Sequence, residues 1–205
     1  MNANQVNTGK GYWLAWFLAS ILGYGMGPLL GASFAYSLFR GDTFDAAKGI
    51  TFGIVMGATG GYLQWVVLRE RIAGAGLWGL TSALGFGLAM VAFVTADTGE
   101  YYVMTGILIG SVFGVVGGIL QWLILRRHVK SAGWWVVANS LGSLVSVIVG
   151  VHAFTAISAT GNSGLGTMVV GLVFGAGVGA ITGAVLVWLL RQSPSSNVEG
   201  LATAH

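Results

Sequence analysis

The chain has 205 residues, of which 55% are hydrophobic and 7% are charged, with a formal net charge of +3. Soluble domains carry about 25% charged residues, so this composition excludes a soluble globular protein, and the small positive charge does not indicate a nucleic-acid partner. With no cysteine, disulfides, thiol nucleophiles and Cys-ligated metal sites are excluded as well. We therefore expect a protein embedded in the lipid bilayer.

Six long apolar runs follow one another along the chain. Each is about 20 residues or longer, as a transmembrane helix requires, whereas barrel strands would alternate in polarity over about 10 residues. We predict an all-α membrane protein with a single transmembrane domain over residues 1–205 and a polar tail at 192–205. The predicted helices cover residues 12–38, 49–69, 77–96, 103–126, 134–157 and 165–190.

The Lys and Arg residues fall mainly on one side of the membrane if the six helices alternate in direction. Because cytoplasmic loops are enriched in Lys and Arg, we expect both termini in the cytoplasm and the protein in the inner membrane of a bacterium. Seven of the nine basic residues lie on that side: Lys10, Arg69, Arg71, Arg126, Arg127, Lys130 and Arg191. The other side carries Arg40 and Lys48 with the acidic residues Asp42, Asp45, Asp97 and Glu100.

The first predicted helix contains the segment "GYGMGPLLG", in which Pro28 follows three glycines. Proline removes a backbone hydrogen bond and clashes with the preceding turn. Pro28 therefore predicts a helix break, which transporters use near mid-membrane to build a binding site. A simple kink in a packed bundle is the alternative that we favour.

The second, fourth and sixth predicted helices each carry four glycines at a spacing of four residues. Glycine lets helix backbones approach closely in lipid, so these glycine rows predict tight helix packing inside the bundle. The alternative is that one or more rows pack against a separate membrane subunit. The rows are Gly49, Gly53, Gly57 and Gly61; Gly106, Gly110, Gly114 and Gly118; and Gly171, Gly175, Gly179 and Gly183.

The odd-numbered helices share a second pattern, with Trp followed by a small polar residue at +4, Gly at +7 and a small residue at +11. Together the two patterns predict three tandem copies of one helical hairpin, at about residues 11–71, 75–128 and 133–192. All three copies run in the same direction, so they are parallel repeats. We expect a six-helix bundle with approximate threefold symmetry.

Two apolar segments, "GGYLQWVVLR" at 60–69 and "GGILQWLILR" at 117–126, each contain a glutamine. At about 100° per residue, both glutamines lie on the glycine face of their helix rather than toward lipid. They share one level with three small polar residues of the odd-numbered helices, and this predicted polar layer comprises Ser20, Gln64, Ser82, Gln121 and Asn139. The third hairpin departs from the pattern because Leu186 replaces the glutamine.

The predicted polar layer has two interpretations. Glutamine that hydrogen-bonds Ser or Asn on a neighbouring helix would fix the helix register, since an unpaired amide in the membrane is unfavourable. Alternatively, the layer lines a vestibule or a solute site. We interpret the tryptophans that flank it as an interfacial belt.

His152 is the only ionisable side chain within the core of a predicted span. We interpret it as a helix-contact residue; binding the magnesium of a chlorophyll-like pigment and a proton-linked switch are the alternatives. A "GNSG" segment at 161–164 invites comparison with rhomboid proteases, but the only later histidine is His205 in the polar tail, and nucleophilic catalysis needs a base within reach. We predict no catalytic residue, no metal site and no cofactor.

The repeated "GG-x-LQW-x-x-LR" string, followed by the Gly-Trp starts "AGLWG" and "AGWWV", resembles uncharacterised polytopic membrane proteins of bacteria. The resemblance covers residues 49–150 and implies a membrane location and a repeated-hairpin architecture. It implies no activity, substrate or catalytic residue.

These observations favour a non-enzymatic membrane protein, a structural or accessory subunit whose partners are other membrane subunits or copies of itself. A channel or permease for a small neutral solute is the alternative, with the polar layer and Pro28 along its route. A pigment- or cofactor-binding subunit that uses His152 is a minor alternative.

Overall fold

The computed structural model describes residues 9–41, 44–95 and 102–192, and the regular structure in these ranges is helical. Asp42, Asp97, Glu100 and the polar tail from residue 193 lie outside the described residues. The helices are α1 (Lys10–Leu38), α2 (Ala46–Leu68), α3 (Trp78–Thr95, preceded by a 3₁₀ turn at Ala75–Leu77), α4 (residues 102–125), α5 (Trp134–Ser158) and α6 (Ser163–Gln192).

All six helices are long and apolar enough to cross a membrane. The chain is therefore a multi-pass α-helical membrane protein, and the predicted spans agree with the observed helices to within three residues at each end. At the start of α2, Asp45 caps the helix by accepting a hydrogen bond of 2.9 Å from the Lys48 backbone N–H.

The six helices form a closed ring in which each packs against the next in the chain and α6 packs against α1. One end of this ring holds the start of α1, the α2–α3 and α4–α5 connections and the end of α6, which come together in a shared core. We call it the basic end because Arg69, Arg71, Arg126, Arg127, Lys130 and Arg191 lie there; the other is the opposite end.

Consecutive antiparallel helices approach one another closely through glycine. A Cβ atom added to Gly23 of α1 would lie 2.7 Å from the Cα of Gly60, and one added to Gly85 of α3 would lie 2.9 Å from the Cα of Gly117. Real Cβ contacts do not occur at such distances, so larger residues here would push the backbones apart. The glycines thus set the separation of the helices.

Two helices carry local features with different outcomes. In α4, the segments Tyr102–Val112 and Gly118–Leu125 flank one π-helical turn at Phe113–Gly117, a single-turn bulge of the kind found inside α-helices. In α1, the helix is continuous through Pro28, so a break there is wrong, whereas the kink that we favour from the sequence stays a prediction. Gly171 of α6 faces the Pro28 ring, and its lack of a side chain leaves room for the proline in an unbroken helix.

Two separate cores fill the ring. The core at the basic end is built from tryptophan and aliphatic residues of all six helices and their connections: Trp16, Leu68, Ile72, Ala75, Trp78, Ile124, Leu125, Val129, Ala132, Trp135, Leu186 and Leu189. The core toward the opposite end is mainly aromatic: Tyr24, Met56, Phe86, Ala89, Phe113, Val147, Phe174 and Val178. The predicted polar layer lies between them.

Candidate functional site

Each glycine row packs against the next helix around the ring. A Cβ on Gly57 of α2 would lie 2.9 Å from the Cα of Ala83 in α3, and one on Gly114 of α4 would lie 2.7 Å from the Cα of Ser140 in α5. A Cβ on Gly175 of α6 would lie 2.8 Å from the backbone of α1. All twelve row glycines have such neighbours within the bundle, so the alternative that a row faces a separate subunit is wrong.

Gln64 bridges two neighbouring helices. Its amide Nε2 donates to the Ser20 hydroxyl of α1 at 3.0 Å, and its Oε1 accepts from the indole N–H of Trp78 in α3 at 3.1 Å. The Ser20 hydroxyl donates in turn to the Trp16 carbonyl at 2.9 Å. Gln64 is 2% exposed, so the glutamine is buried and paired on both sides of its amide.

Gln121 makes the same two contacts one hairpin later. Its Nε2 donates to the Ser82 hydroxyl at 2.9 Å, and its Oε1 accepts from the Trp135 indole at 2.9 Å. The Ser82 hydroxyl donates in turn to the Trp78 carbonyl at 3.0 Å. Gln121 is 1% exposed. The repeated "LQW" segment of the sequence therefore builds a repeated three-helix hydrogen-bond bridge.

The third hairpin is linked to the first by a different hydrogen bond, which uses a threonine in place of a glutamine. The indole N–H of Trp16 donates to the Thr182 hydroxyl of α6 at 3.0 Å, and that hydroxyl donates to the Val178 carbonyl. Asn139 donates instead to the Gly114 carbonyl of α4 at 3.1 Å, and Leu186 is fully buried. Thr182 thus accepts the bond that a glutamine accepts elsewhere, and it completes the layer.

Sequence reasoning missed Thr182 because it looked only at the position of the glutamine. Thr182 precedes the last glycine of its row, Gly183, as Gly60 and Gly117 precede theirs. A hydroxyl in place of a glycine on the packing face was the signal that a second polar position existed.

Trp16, Trp78 and Trp135 form a tryptophan triad at the centre of the ring. Their ring centroids lie 5.3 to 6.0 Å apart with steep interplanar angles, the edge-to-face geometry that aromatic rings prefer. All three side chains are buried, so the interpretation of the flanking tryptophans as an interfacial belt is wrong for these three. Aromatic side chains at one level of each odd-numbered helix instead plug the axis.

Two other tryptophans differ from the triad in their surroundings. Trp65 and Trp122 are only partly buried, and the guanidinium groups of Arg69 and Arg126 lie 5.5 and 5.0 Å from their rings. This pairing of ring and cation is typical of residues at a membrane interface. The tryptophan after each glutamine thus points outward, whereas the triad tryptophan that donates to the same glutamine points inward.

On the side of the polar layer that faces the opposite end, three phenylalanine rings, which we call the aromatic floor, lie next to a cavity. Phe86, Phe113 and Phe174 lie within 3.9 to 5.6 Å of one another between centroids. Beyond them lies a central cavity of about 190 Å³. Its lining comes from all six helices: Pro28, Phe52, Met56, Phe86, Met90, Gly106, Ile109, Gly110, Phe113, Val147, Val151, Thr167, Val170 and Phe174.

His152 lies apart from the polar layer, the tryptophan triad and the central cavity. Its side chain is exposed on the outer surface of α5, and its Nδ1 lies 2.7 Å from the Ile148 carbonyl oxygen of the same helix. Because this side chain is exposed and its hydrogen-bond partner is on its own helix, the interpretation of His152 as a helix-contact residue is wrong. His205, the only histidine after "GNSG", lies outside the described residues.

The chemistry available in the layer is hydrogen bonding without acid–base groups. The layer consists of amides and hydroxyls, and the triad adds indoles. Buried polar groups in a membrane are stable only when they are hydrogen-bonded. Among the described residues, only the Ser143 and Ser158 hydroxyls are buried without a hydrogen-bond partner, and neither belongs to the layer. The layer can thus hold six helices in register, and the tryptophan triad blocks passage along the axis.

Comparisons with protein-family models, with curated proteins and with solved structures found no match for this chain.

Proposed function

We propose that the chain is built from three tandem hairpins, at residues 11–71, 75–128 and 133–192, arranged with approximate threefold symmetry. The support is that equivalent positions make equivalent contacts. Each glycine row packs on the next odd-numbered helix, and each triad indole donates to the even-numbered helix before it in the ring. The bond from Trp16 to Thr182 relates the third hairpin to the first as the glutamines relate the others.

We further propose that the protein is a non-enzymatic structural or accessory subunit of a bacterial inner membrane, with its basic end in the cytoplasm. The observation that carries this proposal is that both glutamines are buried and hydrogen-bonded on two sides. A layer whose polar groups are already paired serves packing and offers nothing to a polar solute. The positive-inside rule supports the orientation.

The partner surface in this proposal is the aliphatic exterior, since the glycine rows are used inside the bundle. Leucines on the outward face of α1 are exposed at successive turns, with Leu14, Leu18 and Leu22 about half exposed. Such a face packs equally well against lipid or against another membrane subunit, including a second copy of this chain.

Isolation from native membranes in mild detergent tests the subunit proposal. A particle heavier than the chain with its detergent, containing a stoichiometric second component or a second copy, is the expected result. A lone chain would overturn the accessory-subunit proposal, and an absorption spectrum recorded on the same particle tests the minor pigment alternative at His152.

The role of the layer is tested by the double substitution Gln64→Leu with Gln121→Leu. If the layer fixes the packing, the variant loses its monodisperse assembly in detergent, because two indole N–H groups lose their acceptors and two serine hydroxyls lose the amide that donates to them. Tyr62→Leu, at an exposed position two residues before Gln64, is the matched control and should assemble normally. Normal assembly of the double variant would instead favour a vestibule.

A permease is the second candidate, and the position of the central cavity among all six helices favours it, whereas the apolar lining of that cavity favours the subunit proposal. The cavity reaches the aromatic floor from the opposite half of the bundle, so it would be half of a path. Proteoliposome swelling with a neutral solute such as glycerol distinguishes the candidates: the subunit proposal expects the rate of protein-free vesicles, and a faster rate would favour the permease.

A further inference from the structure

The central cavity has an interior that rejects polar molecules. Among the described residues that line it, only Thr167 carries a polar side chain, and the Thr167 hydroxyl donates to the Ser163 carbonyl at 3.0 Å within its own helix. A water molecule or polar solute in the cavity would give up its hydrogen bonds without replacement. The chemistry of the walls therefore selects an apolar occupant.

At the level of the cavity, α5 carries smaller side chains than the other odd-numbered helices at equivalent positions. Eight residues after its triad tryptophan, α1 carries Tyr24 and α3 carries Phe86, whereas α5 carries Ser143 at that place. Four residues further on, Met90 in α3 corresponds to Val147 in α5. At these two positions α5 therefore carries smaller residues than α3 does.

The cavity is closed at the aromatic floor and is less enclosed toward the opposite end. Phe86, Phe113 and Phe174 at the floor are each less than 5% exposed. In contrast, Phe52, Val151 and Thr167, nearer the opposite ends of their helices, are partly exposed. On the side of the polar layer, the aromatic floor therefore bounds the space that an occupant can fill.

The volume sets the size of the occupant. An engineered cavity of about 150 Å³ lined by Leu, Ile and Phe stays dry and binds benzene or xenon. At about 190 Å³, the central cavity is somewhat larger and has aromatic faces and edges at its floor, against which a ring or a methylene chain packs favourably.

We propose that the central cavity is a binding site for one small hydrocarbon group, about the size of a single aromatic ring. This group is either a free apolar molecule or the end of a lipid acyl chain. The inference is independent of the subunit proposal, since it rests on the lining of the cavity and not on the polar layer.

Fluorobenzene is the probe for this site. ¹⁹F NMR of the full chain in nanodiscs should show saturable binding at about one probe per chain, beyond the partitioning measured in empty nanodiscs. Partitioning that never saturates would overturn the proposal, and this measurement needs no variant.

Two substitutions fill the cavity from different helices, Ile109→Phe in α4 and Val170→Phe in α6. Each should weaken fluorobenzene binding at least about tenfold, because the added ring occupies the site. Val149→Phe on the exposed face of α5 is the matched control and should bind as the unmodified chain does. Unchanged binding in either filling variant, once its folding is verified by gel filtration, would overturn the proposal.

Mass spectrometry of the purified particle distinguishes the two sources of the hydrocarbon group. A lipid that is retained stoichiometrically, and released by fluorobenzene or by Val170→Phe, identifies an acyl chain as the occupant. Fluorobenzene binding with no displaced lipid identifies a free apolar molecule.

Discussion

The two ends of the bundle use the same glycine spacing but fill the space between the helices differently. At the basic end, glutamine and threonine side chains accept hydrogen bonds from the indole N–H groups of the triad, and buried side chains fill the axis. Toward the opposite end, apolar side chains meet without directional partners and leave a cavity. The comparison teaches that glycine rows bring helices together, whereas the side chains between the helices decide whether the centre closes.

The sharpest test of this comparison adds one methyl group at two positions of the same glycine row, one near the polar layer and one at the opposite end. Gly57→Ala near the polar layer would place its Cβ 2.8 Å from the Ser82 carbonyl carbon and 2.9 Å from the Ala83 Cα. Since backbone atoms cannot move aside, we expect a loss of about 1–3 kcal/mol in unfolding free energy, measured by denaturant titration in detergent.

Gly49→Ala at the other end of the row is the matched control. Its Cβ would meet only side-chain atoms, of Phe44 and Val94, at 3.2 Å. These can shift slightly, and alanine favours the helix by about 1 kcal/mol, so we expect a change near zero. A loss as large as that of Gly57→Ala would show that the two ends are equally rigid.

The second comparison removes one hydroxyl from each half. Ser82→Ala deletes the group that accepts from Gln121, so it should lower the unfolding free energy by about 1 kcal/mol. Ser143→Ala deletes a buried hydroxyl that has no partner and should be neutral or slightly stabilising. Equal losses in the same titration would mean that the hydrogen bonds of the layer add nothing to stability.

The smallest expected effect concerns Asp45, the cap of α2 at the opposite end. Its bond from the Lys48 backbone N–H holds the pKa of this carboxyl below its usual value, with the Lys48 side chain adding to the effect. The stabilisation from a lowered carboxyl pKa is present above the unfolded-state value and is lost as the pH falls through the folded-state value. Thermal unfolding should therefore become slightly easier on acidification.

Asp45→Asn keeps the capping oxygen and removes the charge, since both residues are good N-caps. The variant should show a weaker acid dependence of its unfolding temperature than the unmodified chain. The difference is expected to be small because the Asp45 side chain is half exposed to solvent. An identical acid dependence in both proteins would assign it to other groups.

Periodicity predicted much of the architecture but little of the centre. Hydropathy located the six helices, and the position of Gln64 relative to Gly61 placed its amide on the packing face, because one helical wheel contains that information. The direction of Trp16 was misjudged because tryptophan in membranes is common at interfaces, and its burial depends on two other helices. His152 was misjudged because the polarity of a side chain does not show whether it faces another helix or the outside of the bundle.

The bond from Trp16 to Thr182 joins residues that are 166 positions apart, and this separation has a consequence for biogenesis. During synthesis α1 is made before α6, so the indole of Trp16 finds its partner only after α6 has been inserted. Until then, the face of α1 that α6 will cover must be held by lipid, by an insertion factor or by a temporary neighbour. The ring can therefore close only after α6 has been inserted, and a chain interrupted before α6 would leave it open.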